Sequence, residues 1–148
     1  MDAVICALGT TKAKAGSEEA FRHVDYELPL VFARACHAAG VETFALVSAI
    51  GASASSMFFY AKTKGELERD IRHIGFRSLT ICRPSIIAGP RNEVRAAEGF
   101  VLALSRVLAP VLPKKFRVNP ASVIAASLLD SVLAARPGFR LIFAEELN

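Results

Sequence analysis

Three short apolar runs, "DAVICAL" (Asp2 to Leu8), "TFALVS" (Thr43 to Ser48) and "SLTICR" (Ser78 to Arg83), recur along the chain with longer amphipathic stretches between them. The first, a continuous apolar run rich in β-formers, predicts a strand buried on both faces; the other two read as the next strands, the third broken by Pro84. Ser17, followed by Glu18 and Glu19, has the chemistry of a helix start. Phe21, Val24, Leu28, Val31 or Phe32, and Ala35 then hold a helical period up to Gly40, and Pro29 predicts a kink or two abutting segments. A second helix leads from Tyr60 to about Gly75, with Leu67, Ile71 and Ile74 carrying an apolar stripe along one face. Strands alternating with helices at these lengths give parallel βαβ units and an α/β fold.

After Arg91 the pattern turns to helical segments, around Ala96 to Val107 and from Asn119-Pro120 to Ala135, before "FRLIFA" (Phe139 to Ala144) closes as a last strand. No repeat or linker divides the 148 residues, so residues 1–148 are expected to form one domain.

The hydrophobic share of 53% and mean hydropathy of +0.38 are high, yet no apolar run approaches the roughly 18 residues of a membrane span. No basic, apolar and small-residue leader pattern opens the chain, and a cytoplasmic protein is the expectation. Cys6, Cys36 and Cys82 lack metal-ligand spacing and read as buried free thiols; His23, His37 and His73 read as surface residues, so no metal site is expected. The net charge of +4 draws partly on Lys114, Lys115 and Arg117, but no nucleic-acid motif accompanies it. "GASAS" (Gly51 to Ser55) has Ser55 where a GxSxG nucleophile elbow needs its second Gly, which removes a hydrolase reading.

Open parallel sheets bind ligands beyond the carboxyl ends of their strands. Here those ends carry Leu8-Gly9-Thr10-Thr11, Ser48, and Arg83-Pro84-Ser85. Tyr60 and Lys64, one helical turn apart at the start of the next helix, share a face near the same crevice. A phenol is a poor acid or base at neutral pH, but an ammonium one turn away favours its phenolate; Lys64 is therefore expected to lower the pKa of Tyr60. With the Ser48 hydroxyl holding a carbonyl or alcohol oxygen, this set suits general acid/base catalysis coupled to hydride transfer. The plainer alternatives are a helix-rim Tyr, a snorkelling Lys, a loop-capping Ser and an exposed Glu68–Arg72 pair.

Ser48, Tyr60 and Lys64, with twelve positions from Ser to Tyr and YxxxK inside a helix, resemble the active-site set of the short-chain dehydrogenase/reductase superfamily. The segments "ALGTTKAKAGS", "VDY", "LVSAIGASASS", "YAKTKGELE" and "RPSIIAGPR" resemble its atypical NAD(P)-binding branch that includes Tat-interacting-protein-like oxidoreductases. The resemblance implies a Rossmann-like sheet, a nicotinamide cofactor with NADP ahead of NAD, and a small carbonyl or alcohol substrate. It places Leu8, Gly9, Thr10 and Thr11 along the cofactor cleft, Tyr60 and Lys64 at the nicotinamide ribose, and Arg83, Pro84, Ser85 and Ile86 around the nicotinamide. Asp25 falls where many members have an Asn that supports the Lys through water. An Asp there can orient a water or pair with Lys64, and it alters the charge balance around the Tyr.

The chain contains no GxGxxG turn of the kind that holds a cofactor pyrophosphate, so it reads as the C-terminal portion of the fold, with weak dinucleotide binding. Its first strand is then expected to present an apolar edge, covered by a second copy or another partner. Two functions stay open: an oxidoreductase, supported by Ser48, Tyr60 and Lys64, and a non-catalytic regulatory or interaction protein, supported by the missing glycine turn.

Overall fold

The computed structural model describes residues 1–88, Pro113 and residues 117–147. Four parallel strands form the main sheet in the order β1 (Ala3–Cys6), β2 (Thr43–Val47), β3 (Ser78–Arg83) and β6 (Gly138–Phe143). A parallel pair of short strands, β4 (Ile87–Ala88) and β5 (Asn119–Pro120), extends beyond β3. On one face pack α2 (Glu18–Arg22), α3 (Leu28–Ala38) and α4 (Phe59–Arg72); on the other packs α5 (Ala121–Ala134). A one-turn helix, α1 (Lys12–Ala15), precedes α2, and a 3₁₀ turn, Ala144–Leu147, follows β6. The helical segment expected around Ala96 to Val107 lies outside the described residues, as do Lys114 and Lys115.

Strands β2 and β3 are buried on both faces as their unbroken apolar runs require, with Phe44, Ala45, Leu46, Ile81 and Cys82 fully enclosed. Strand β1 departs from that expectation. Only Val4 and Cys6 are buried, while Ile5 is 40% exposed, because β1 is the edge strand and α5 covers its outer face incompletely. Leu67 and Ile71 of α4 are buried, and Ile74 packs beside them. All three cysteines are buried free thiols. Thr11 caps α1 by accepting from Lys14 N–H, and Ser17 caps α2 by accepting from Ala20 N–H at 3.0 Å.

Pro29 is accommodated by a π-helical turn, His23–Glu27, which joins α2 to α3. Leu28 N–H donates to His23 C=O, a five-residue step, so the ring of Pro29 enters the first turn of α3, where its missing N–H costs nothing. The extra residue moves the buried face onward. Phe21 and Asp25 point inward, followed by Leu30, Ala33 and Cys36, whereas Leu28, Val31 and Phe32 are 41%, 62% and 46% exposed. The two abutting segments expected at Pro29 are thus present, while the buried positions read at Leu28 and Val31 or Phe32 are corrected to Leu30, Ala33 and Cys36.

The loop from β2 to α4 is pressed onto the helix at Gly65, where a Cβ would lie 2.1 Å from the Ser53 carbonyl carbon and 2.2 Å from Ala54 N. Gly→Ala inside an open helix gains about 1 kcal/mol. Gly65→Ala is instead expected to destabilise the protein by about 1–3 kcal/mol, because backbone has to move, and denaturant unfolding measures the sign directly.

Candidate active site

The carboxyl ends of β1, β2 and β3 open on one side of the sheet, and the start of α4 lies above them. The ladder between β2 and β3 continues past both strands: Ser48 N–H donates to Cys82 C=O at 2.7 Å and Ile50 N–H to Pro84 C=O at 2.9 Å. Ser48 is thereby fixed beside Arg83 and Pro84. Its side chain is buried, and its Oγ has no hydrogen-bond partner among the described residues. A buried hydroxyl left unmatched is costly, and such groups mark strain, catalysis or a ligand position.

Asp25 and Lys64 form the charged centre. Lys64 Nζ stands 2.6 Å from Asp25 Oδ1, an ion pair outside directed hydrogen-bond geometry, with side chains only 6% and 1% exposed. Asp25 Oδ2 accepts the Thr10 N–H at 2.7 Å. Gly9 crosses directly over the pair; a Cβ there would sit 3.1 Å from Asp25 Oδ1 and 3.5 Å from Lys64 Nζ. The π-turn, the loop after β1 and α4 thus converge on one carboxylate. Of the two roles open to Asp25, the structure has direct pairing with Lys64.

Tyr60 packs its ring on Phe21 of α2, with centroids 5.5 Å apart, and is 46% exposed. Its pKa is raised above the ordinary tyrosine value, by partial burial of the phenol and by the Asp25 carboxylate. The expectation that Lys64 lowers this pKa is therefore corrected. The Lys64 ammonium is neutralised by Asp25, so the phenol meets a matched pair instead of a free cation.

Arg83 and Ser85 have structural partners. Arg83 grips Glu68 through Nε at 2.9 Å and Nη2 at 2.6 Å, with Glu68 itself buried. Glu68 is thus not the exposed partner of Arg72, whose guanidinium instead lies 4.3 Å from the centroid of the Phe139 ring. Ser85 N–H donates to Asn119 Oδ1 at 2.8 Å, and the Ser85 hydroxyl donates to Arg117 C=O and, at 3.1 Å, to Asn119 Oδ1. Asn119, fully buried, also donates to Ala144 C=O at 2.9 Å and holds β5 and the end of β6 to the loop after β3. The sequence reading missed Asn119, whose only local signal is its place before Pro120. Pro84 is buried, while Leu8 and Ile86 are 43% and 44% exposed at the mouth. Among the described residues no cluster of His, Cys, Asp or Glu could hold a metal ion, and no helix is long and apolar enough to cross a membrane.

The parallel sheet, its covering helices and the cluster at its carboxyl edge define a Rossmann-type fold, and solved structures share it. WbmG of Bordetella bronchiseptica in complex with NAD superposes over 97% of this chain and 51% of its own, with a TM-score of 0.67 and 16% identity. MoeE5 in complex with UDP-glucose and NAD gives 0.70 at 14% identity, over 95% of this chain and 55% of its own. The chain belongs to the HIM1 family, whose model matches residues 1–110. Relatives include the Debaryomyces hansenii "Protein FMP52, mitochondrial", 37% identical over 131 residues, which are 88% of this chain and 58% of the relative. The Emericella nidulans protein of the same name is 43% identical over 110 residues, 74% of this chain and 46% of the relative. The chain therefore spans about half the length of the curated relatives it matches. Their names place them in mitochondria, which overturns the cytoplasmic expectation.

Within the site, Arg83→Met removes both contacts to Glu68 and leaves a buried carboxylate without its cation. A loss of about 1–3 kcal/mol in unfolding free energy is expected, a range that allows for the partial exposure of Arg83. An Arg72→Met control, which removes only a surface cation–π contact, is expected to cost about 0.5–1 kcal/mol.

Proposed function

We propose that this chain is the catalytic-residue-bearing part of a mitochondrial NAD(P)-dependent oxidoreductase of the short-chain dehydrogenase/reductase type, acting on a carbonyl or alcohol. The observation that carries this reading is the buried, unpartnered Ser48 Oγ at the carboxyl end of β2, on the side of the sheet where α4 brings Tyr60 and Lys64. The quoted sequence segments favour the Tat-interacting-protein-like branch within that superfamily.

The residues present fit the nicotinamide end of a dinucleotide. Gly9 leaves the space over Asp25 and Lys64 free of a side chain, Ser48 offers an uncommitted hydroxyl, and Pro84 and Ile86 supply an apolar border. Leu8 to Thr11 would line the cleft and Lys64 would meet the ribose; Arg83 and Ser85 would shape the border through their bonds to Glu68 and Asn119. When bound, the cofactor supplies or accepts the hydride. Ser48 then orients the substrate oxygen, and Tyr60 Oη gives or takes the proton at that oxygen. Complexes of fold neighbours hold NAD or NADP, so the fold itself carries no preference between them.

A second reading, a regulatory or interaction protein without turnover, is favoured by one specific feature: Lys64 is held by Asp25 at 2.6 Å and is not a free cation beside Tyr60. Tyr60→Phe separates the two. It keeps the ring on Phe21 and removes the proton-exchanging group, so NADPH oxidation with a pool of small aldehydes and ketones is expected to fall by about 10²–10⁴ with the fold intact. Unchanged turnover in that variant would remove Tyr60 from the reaction.

We also propose that the β1 edge is covered by a second copy or a partner. Its outer side has no neighbouring strand among the described residues, and Ile5 and Leu8 are exposed beside it. Sedimentation velocity on the purified chain is expected to show self-association that rises with concentration; a monomer throughout would count against it.

A further inference from the structure

We infer that Asp25 sets Tyr60 up as a resting proton donor by taking the Lys64 ammonium for itself, so that the site favours carbonyl reduction over alcohol oxidation near neutral pH. This deepens the oxidoreductase reading and rests on it. Asp25 is a positioning residue here, acting on the reaction through Lys64 and Tyr60.

The geometry fixes who holds the charge. Asp25 is fully buried on the π-turn, with Oδ1 on the Lys64 ammonium at 2.6 Å and Oδ2 on the Thr10 amide at 2.7 Å. A pair this close leaves little uncompensated positive potential for the phenol one turn earlier on α4. The other groups around the cluster do not replace it. The Cys6 thiol beneath has its pKa pushed up by burial and stays neutral. Arg22 on α2 is committed to Glu66 at 2.6 Å, and Lys12 on α1 to Glu18 at 2.6 Å. Phe21, the α2 side chain that touches the Tyr60 ring, brings no charge. The direction of the Tyr60 pKa, upward, agrees with this arrangement.

A protonated phenol suits one direction of the chemistry. In reduction, the carbonyl carbon gains a hydride from a reduced nicotinamide and its oxygen takes the Tyr60 proton. The C=O double bond becomes a C–H and an O–H, and the phenolate regains its proton from water at its exposed side. Oxidation needs Tyr60 already deprotonated, and with the pKa raised that form is scarce until the solution is strongly alkaline.

The chain has two tyrosines, Tyr26 and Tyr60, and no tryptophan, so in a Tyr26→Phe background tyrosinate absorbance reports Tyr60 alone. Its midpoint is expected above the ordinary value of about 10. Asp25→Asn keeps an acceptor for Thr10 N–H but removes the negative charge, and is expected to lower the midpoint on the order of one unit. Lys64→Met exposes the phenol to an unmatched carboxylate and is expected to raise it. Opposite shifts in variants with native circular dichroism support the inference. No shift, or a fall toward the ordinary value in both, as a loosened site would give, overturns it. If Asp25→Asn fails to fold, the sign of the Lys64→Met shift decides alone. A reduction rate that stays level up to the Tyr60 midpoint is the matching kinetic result. Absence of turnover with every aldehyde and ketone would sink the oxidoreductase reading, while the titration still decides what Asp25 does to Tyr60.

Discussion

The buried contact between Asp25 and Lys64 is what the rest of this structure is arranged around. Removing both charges from water costs several kcal/mol per ion, and attraction between them offsets that only when the remaining polar positions are also satisfied. Here the second carboxylate oxygen takes the Thr10 amide, so one side chain ties the loop after β1 to the π-turn and to α4. An apolar pair of similar volume would hold these elements together at least as well. The charge of this pair is what the proposed chemistry at Tyr60 uses.

The π-turn is the device that lets one helical rod serve two purposes. Its first part presents Phe21 and Asp25 to the candidate site, and its second presents Leu30, Ala33 and Cys36 to the apolar core over β1 and β2. A continuous α-helix would carry the Phe21–Asp25 face on toward Leu28 and Phe32, which the structure leaves largely exposed. The five-residue step from His23 to Leu28 rotates the second part by about one residue, roughly 100°, which brings the core-forming set inward. Pro29 stabilises the break because it cannot donate the bond that a continuous helix would require.

The sequence made the sheet legible and the electrostatics only in part. "SLTICR" is strand β3 residue for residue, and "TFALVS" overshoots β2 by one, because both runs are buried on both sides and nothing in the tertiary structure competes with their local preference. The Ser17 cap was equally readable. The phase of α3 was not, since an apolar residue at each of Leu28, Leu30, Val31 and Phe32 fits more than one face and only packing selects among them. Glu68 looked like an i,i+4 partner of Arg72, but Arg83, fifteen residues away in sequence, is brought beside it by the return of β3 and binds it with a geometry Arg72 does not match. The direction of the Tyr60 pKa failed for the same reason. Local spacing gave the cation on α4; Asp25, 39 positions earlier, reads as able to pair with Lys64 and alter that balance, and only the folded contact shows that it does.

Position in the site is finally a matter of how closely backbones approach. Gly65 lets the Ser53–Ala54 loop lie against α4, and Ser53 N–H donates to Ala61 C=O at 3.0 Å. That loop begins just after Ser48 and ends at the start of α4, so the same contact constrains both the hydroxyl that would meet a substrate oxygen and the helix that carries Tyr60. Gly9 does the corresponding work on the other side, where the chain passes over the charged pair with no room for an ordinary side-chain contact. Neither glycine belongs to a phosphate-binding motif. Their use here is steric: each removes one methyl group at a point where the groups of the candidate site have to come together.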